Sequence, residues 1–335
     1  MLWIFEKGEI KMQNYEIINN ALLVDKPNVD IKKIIKSFYD ALDKSREEIK
    51  GANLIDIKNN NGFIVDFDVI SRIFSRVLEE KNVYGDVTLS VNDEDKKIMY
   101  GKQIFDTGNV VIIYDGNTYV LIEMILRNLL AFNTMIFSCD NYMCGTNQLI
   151  VQIMQTILEK NYISKYLIQY YLFDDYDILD NYANIDLVIC IGNQHLQKSV
   201  LNKSKNRVIV SGYNYYNLYI EDNSYLEFLN KIIKYENNVQ VYIKKDLKID
   251  CVGAVIVDDI DEAISLINYN GTFYSSAIFT DNSLNASKFM KKVKSKIITV
   301  NTSPTIEKVL DIKQSDLVIE KTIVYPFAFK KEGIK

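Results

Sequence analysis

Four cysteines (Cys139, Cys144, Cys190 and Cys251) and a single histidine, His195, carry the most reactive side chains in this chain. A thiolate is the nucleophile a cysteine can supply, so a reactive thiol is the chemistry to weigh first against simple packing. The spacing points away from metal: Cys139 and Cys144 are five apart, and one histidine cannot complete a usual zinc set. No metal site is expected. Cys139 stands between Ser138 and Asp140 at the end of an apolar run, the most open setting of the four thiols. Cys190 and Cys251 fall inside apolar runs, where a free cysteine packs as a small hydrophobe. His195 follows the turn Gly192-Asn193 and reads as a surface residue at a helix start rather than a general base. That turn could face a pyrophosphate, although turn formation alone accounts for a glycine there.

The elements that would hold these residues centre on Val110 to Lys160. An apolar run, Val110–Tyr114, meets the turn Asp115-Gly116-Asn117 and then a helical pattern through Val120, Ile122, Leu126, Leu129 and Leu130. A second apolar run, Met135–Phe137, ends in Ser138-Cys139-Asp140-Asn141, and a helix over Asn147–Lys160 follows. Strand, crossover helix, strand and helix, with both strands apolar throughout, predict a parallel sheet buried on both faces. Ligands of such sheets sit beyond the carboxyl ends of the strands, which puts Asp115–Asn117, Ser138–Asn141 and Gly192-Asn193 on one rim. Upstream, Asp30 is a helix cap before Ile31, Ile34, Ile35, Phe38 and Leu42, a second amphipathic helix spans 66–81, and residues 86–108 read as a projecting hairpin. Downstream, α/β alternation continues through a strand at 186–191 and another at 207–211. The tyrosine-rich 213–222 reads as strand and turn with alternate tyrosines packed inward. A smaller α/β unit begins near 237, and the β-rich tail from Ser303 to Phe329 is expected to pair with a sheet edge, in this chain or another.

Composition bounds the function. The chain has 335 residues, 48% of them hydrophobic, and a net charge of −5 with both signs interspersed. Two domains are the natural prior at that length, and no basic arm is present, so nucleic acid is not an expected partner. No apolar run reaches the ~18 residues that a membrane span needs, and the opening residues lack a signal-peptide core. Reduced thiols and a cytoplasmic setting are the expectation. Lys7-Gly8-Glu9-Ile10-Lys11 could be encoded by a purine-rich tract resembling a ribosome-binding site, so Met12 is the expected start.

The order of segments resembles the aldehyde dehydrogenase superfamily, and within it the gamma-glutamyl phosphate reductases (glutamate-5-semialdehyde dehydrogenases). The resemblance is carried by VVIIYDG and, after a helix, NTMIFSCDNYMCGTNQLIVQIMQTILEK. IDLVICIGNQHLQKSV, VIVSGYNYYNLYIED and VDDIDEAISLINYNGTFYSSAIFTDNSLNASKFMKKVKSKIITVNTS follow in order. It covers most of residues 30–303. It implies an α/β fold with a doubly wound, Rossmann-type parallel sheet, a smaller and here truncated second α/β domain, and a β arm for oligomerisation. The implied division is a nucleotide-binding-like domain over 13–235, a truncated catalytic-like domain over 236–302 and a tail over 303–335. The family's chemistry uses a cysteine nucleophile, an asparagine oxyanion donor and NAD(P).

This chain departs from that pattern. The nucleophile's place, after the helix ending near Lys234, is taken by Tyr235 or a neighbour, and a phenol protonated near pH 7 is a poor substitute. Tyr119 stands where the family has the oxyanion asparagine, and losing one such donor costs about a hundredfold or more in turnover. Only KKDLKIDC joins Ile243 to Val252, where the family carries much of its catalytic domain. Ser138, Cys139 and Asp140 replace a basic or small-residue motif around the cofactor's ribose, which disfavours the 2′-phosphate of NADP and leaves NAD open. The expected function is therefore a reductase-like protein that has lost catalysis. It would act as a binding, regulatory or assembly subunit, a homo-oligomer or partner of another protein through the β-rich tail. The alternative is an active NAD(P)-dependent reductase or dehydrogenase whose nucleophile has moved to Cys139 or Cys251.

Overall fold

Asp30 accepts the Lys33 amide at 3.2 Å and starts α1 (Ile31–Lys44), which buries Ile31, Ile34, Ile35, Phe38 and Leu42 along one face. The computed structural model describes residues 17, 19–21, 29–60, 62–80, 84–93, 98–139, 143–172, 177–213, 215–225, 232, 238–247, 253–304 and 310–326. The Met12 start, Asp140, Tyr235 and Cys251 lie outside them. Helix α2 (Arg46–Asn60) follows, and α3 (Phe67–Glu79) begins where Asp66 accepts the Asp68 amide. Strands β1 (Val87–Asp93) and β2 (Ile98–Asp106) form the expected antiparallel hairpin.

Next come β3 (Asn109–Tyr114), α4 (Thr118–Ala131), β4 (Thr134–Cys139), α5 (Cys144–Lys160) and β5 (Ile168–Leu172). Every residue of β3 and β4 is buried, and the two pair in parallel from Asn109↔Thr134 to Tyr114↔Cys139. A run buried on both faces has no reason to alternate with polar residues, which is why Val110–Tyr114 and Met135–Phe137 are apolar throughout. Then follow β6 (Leu187–Ile191), α6 (Gln194–Lys203) and β7 (Val208–Ser211), and this sheet has the order β5-β4-β3-β6-β7.

The chain divides into two compact units. The first holds residues 1–188, 204–207 and 312–335; α1 and α2 pack on α5, and α3 on α4. Its last strand, β13 (Val318–Pro326), pairs antiparallel with β2, so the β-rich tail finds its edge within this chain and makes a three-stranded β1-β2-β13 sheet.

The second unit holds residues 189–203 and 208–311. It contains β8 (Tyr216–Ile220), β9 (Val239–Lys244), β10 (Val255–Val257), α7 (Ile260–Asn270), β11 (Ser275–Phe279), α8 (Ser283–Lys292) and β12 (Ile297–Val300). These strands form an all-parallel sheet in the order β10-β9-β8-β11-β12. On one face Tyr219 and Tyr242 pack with Ile264 and Phe289; on the other Leu218, Ile220, Val241 and Phe279 form a second cluster. Strand β8, which the sequence reading assigns to the first domain, is a central strand of this second sheet. It alternates between the two clusters, and that double burial is what fixes its place. The inward packing expected for the tyrosine-rich stretch holds at Tyr213, Tyr216 and Tyr219, all buried.

Candidate functional site

On the rim of the first sheet, the β3–α4 turn is built by short polar side chains. Asp115 accepts the Asn117 amide at 3.2 Å, and Asn117 in turn caps α4 by accepting from Tyr119 (2.9 Å) and Val120 (3.4 Å). Tyr119, the residue that the sequence resemblance sets against the oxyanion asparagine, packs its ring 5.2 Å from that of Phe63. Its hydroxyl oxygen accepts the Asp66 amide at 2.8 Å, and burial raises the phenol pKa. The side chain is thus engaged in tying α4 to the start of α3.

Beneath the β4 end, Cys139 is 3% exposed rather than open, and its thiol lies 2.9 Å from the Tyr170 hydroxyl. The open setting expected for Cys139 is overturned because β4 stays buried through its last residue. Burial pushes the phenols of Tyr170 and Tyr114 far up. Asn147, a residue with no sequence signal, is fully buried here; it donates to the Tyr114 hydroxyl (3.1 Å) and the Gly116 carbonyl (2.7 Å) and accepts from Thr118 (2.8 Å). Ser138 is buried, and its hydroxyl has no hydrogen-bond partner among the described residues. Cys190 is buried in β6, and Cys144 is half-buried at the first turn of α5 with a thiol pKa raised by burial and by Asp56.

A helix N-terminus on this rim is where a cofactor phosphate would sit. At α5 that position is filled by the protein itself: buried Asp56 accepts the amides of Gly145 (3.1 Å) and Thr146 (2.7 Å) and the Thr146 hydroxyl (2.6 Å). At the α6 turn, the Gly192 amide donates to Ser211, and Asn193 caps the helix by accepting the Leu196 amide at 2.9 Å. Among the described residues, these contacts engage the Gly145 and Thr146 amides at the first turn and the Leu196 amide at the second. Among the described residues, no group of three His, Cys, Asp or Glu side chains could hold a metal, and no helix is long and apolar enough to cross a membrane.

The second unit holds a cleft of about 370 Å³. Its lining brings Asn193 and the exposed His195 together with the amino ends of β8 and β9 and the loop after α7: Asn217, Gln240, Asn270 and Thr272. A carboxyl-end search misses most of these residues, because they precede or begin their strands. Asn193 and His195 stand out in the sequence at their turn, and Asn270-Gly271 is a second such signal: a side chain at Gly271 would come within 2.4 Å of the Ile267 carbonyl.

No family model matches the chain. It is 24% identical over 262 residues to gamma-glutamyl phosphate reductase of Petrotoga mobilis, covering 62% of this chain and 63% of that protein, under two thirds of its length. It is 24% identical over 345 residues to the reductase of the same name from Dictyoglomus thermophilum, covering 85% and 82%. Among solved structures, gamma-glutamyl phosphate reductase of Thermotoga maritima superposes with a TM-score of 0.63 at 17% identity, covering 94% of this chain and 98% of that one. A putative aldehyde dehydrogenase from Bacillus subtilis gives 0.68 at 12% identity, covering 94% and 90%. The fold is aldehyde dehydrogenase-like.

Proposed function

We propose that this chain, which is related to the gamma-glutamyl phosphate reductases, has lost their catalysis and serves as a binding, regulatory or assembly subunit. The observation that carries the reading is the state of the thiols. Of the described cysteines, Cys139 and Cys190 are buried, and burial and Asp56 raise the pKa of the half-buried Cys144 thiol. A thioester route needs an accessible thiolate. Tyr119, engaged with Asp66, supports the same reading. Assembly would use the β1-β2-β13 sheet, whose outer strand β13 exposes Ile319 and Val324. The test is an assay of the purified protein for NADH- or NADPH-dependent acyl phosphate reduction and for semialdehyde oxidation. No turnover above background is expected; measurable turnover overturns the reading.

A further inference from the structure

The carboxamides of the second unit's cleft have their hydrogen-bonding state fixed by their neighbours. The Gln194 Nε2 donates to the Tyr269 carbonyl at 2.5 Å, and the Gln240 Nε2 donates to the carbonyls of Val241 (3.2 Å) and Gly253 (3.5 Å). A carbonyl oxygen only accepts, so in both side chains the nitrogen faces that carbonyl and, among the described residues, the amide oxygen is left for a ligand, Gln194 keeping one further N–H as a donor. Asn193 is the reverse: its oxygen takes the Leu196 amide and its Nδ2 remains as a donor. His195 adds an imidazole, and none of the twelve lining residues is a lysine, arginine, aspartate or glutamate.

A phosphate or carboxylate in this cleft would meet amide oxygens and no counter-charge, and an unpaired ion leaving water is costly. Hydroxyl groups fit on both counts, since each can donate to an amide oxygen and accept from an amide nitrogen. The volume lies at the small-ligand end of ordinary sites. We propose that this cleft binds an uncharged sugar ring, free or as the sugar of a nucleoside, held by the Gln194 and Gln240 oxygens and the Asn193 nitrogen. The inference rests on the reading that the protein binds rather than catalyses, and it names the ligand class.

The experiment is calorimetric titration of the full chain with D-ribose, adenosine and AMP. Saturable binding of ribose or adenosine is expected, with AMP at least tenfold weaker than adenosine. Binding of both assigns the sugar itself, and binding of adenosine alone assigns a nucleoside. Gln194→Leu and Gln240→Leu should each weaken binding about three- to tenfold, the effect of one hydrogen bond. Neither side chain is buried, so the thermal midpoint should not move. AMP binding as tight as adenosine, no saturable binding of either neutral probe, or affinity indifferent to both substitutions overturns the inference. The two failures are separable: turnover in the reductase assay removes the proposed function, whereas a failed titration removes only the ligand class.

Discussion

Asp56 does more for the first unit than its surface-like sequence context, LIDIKNN, suggests. One buried carboxylate satisfies two backbone amides and a hydroxyl at the start of α5, from 89 and 90 residues away. Asp56→Ala strands those donors, and the expected loss is about 2–4 kcal/mol in urea unfolding; Asp56→Asn should lose less. At Cys144, burial and Asp56 both favour the neutral thiol. Iodoacetamide should therefore label Cys144 before Cys139 or Cys190, at a rate still climbing with pH beyond the usual thiol range. Rapid labelling of Cys139 near neutrality would contradict its burial. At this scale the sequence reveals identities better than roles. Tyr119 stands out as a replacement, but nothing in VIIYDGNTYV shows that its hydroxyl serves Asp66. Nor could Asp56 be paired with Gly145 across such a distance in the chain.

Helices α3 and α4 are joined by charge as well as by packing. Glu123 on α4 lies between Arg127 (3.0 Å) and Arg76 of α3 (2.6 Å), and Arg127 also reaches Glu80 (2.8 Å). The Glu123 and Arg127 side chains are 3% and 5% exposed. Removing one partner of a buried pair leaves the other charge uncompensated, so Glu123→Ala should cost about 3–5 kcal/mol. A loss below 1 kcal/mol in chemical denaturation would show that water reaches the pair. The β-rich tail makes a different prediction. Ending the chain before Leu317 exposes the β2 edge and removes the Leu317 carbonyl that Asn133 holds at 2.8 Å. Size-exclusion chromatography should then show aggregation that the intact chain lacks. Elements were the most legible scale, because helix caps (Asp30, Asp66) and periodic apolar faces are local signals. Strand β8 was not legible in the same way. An all-buried strand carries no alternation to say which of two parallel sheets it joins.

Across the whole molecule, buried phenols couple stability to alkaline pH. Tyr114, Tyr170 and Tyr219 all have raised pKa values, with burial the largest cause in each. In the unfolded chain a tyrosine titrates near 10. The folded state therefore binds these protons more tightly. That contribution is complete below pH ~10 and is lost as pH climbs from there toward the folded values. The denaturant midpoint should fall above about pH 10, and phenolate absorbance from these residues should appear together with unfolding. A full tyrosine titration completed before any loss of secondary structure would refute this. The double winding was legible as α/β alternation, but the cleft was not, since its carboxamides come from four separated stretches of a chain rich in asparagine.

The pairing of β2 with β13 also bears on how the polypeptide is made. The whole second unit is encoded between those two strands. At ~5–20 residues per second, a ribosome needs on the order of ten to forty seconds to pass from Asp106 to Val318. During that interval the nascent hairpin offers β2 as an open edge while an entire all-parallel sheet is being synthesised. That edge is the segment a chaperone would have to shield until β13 emerges.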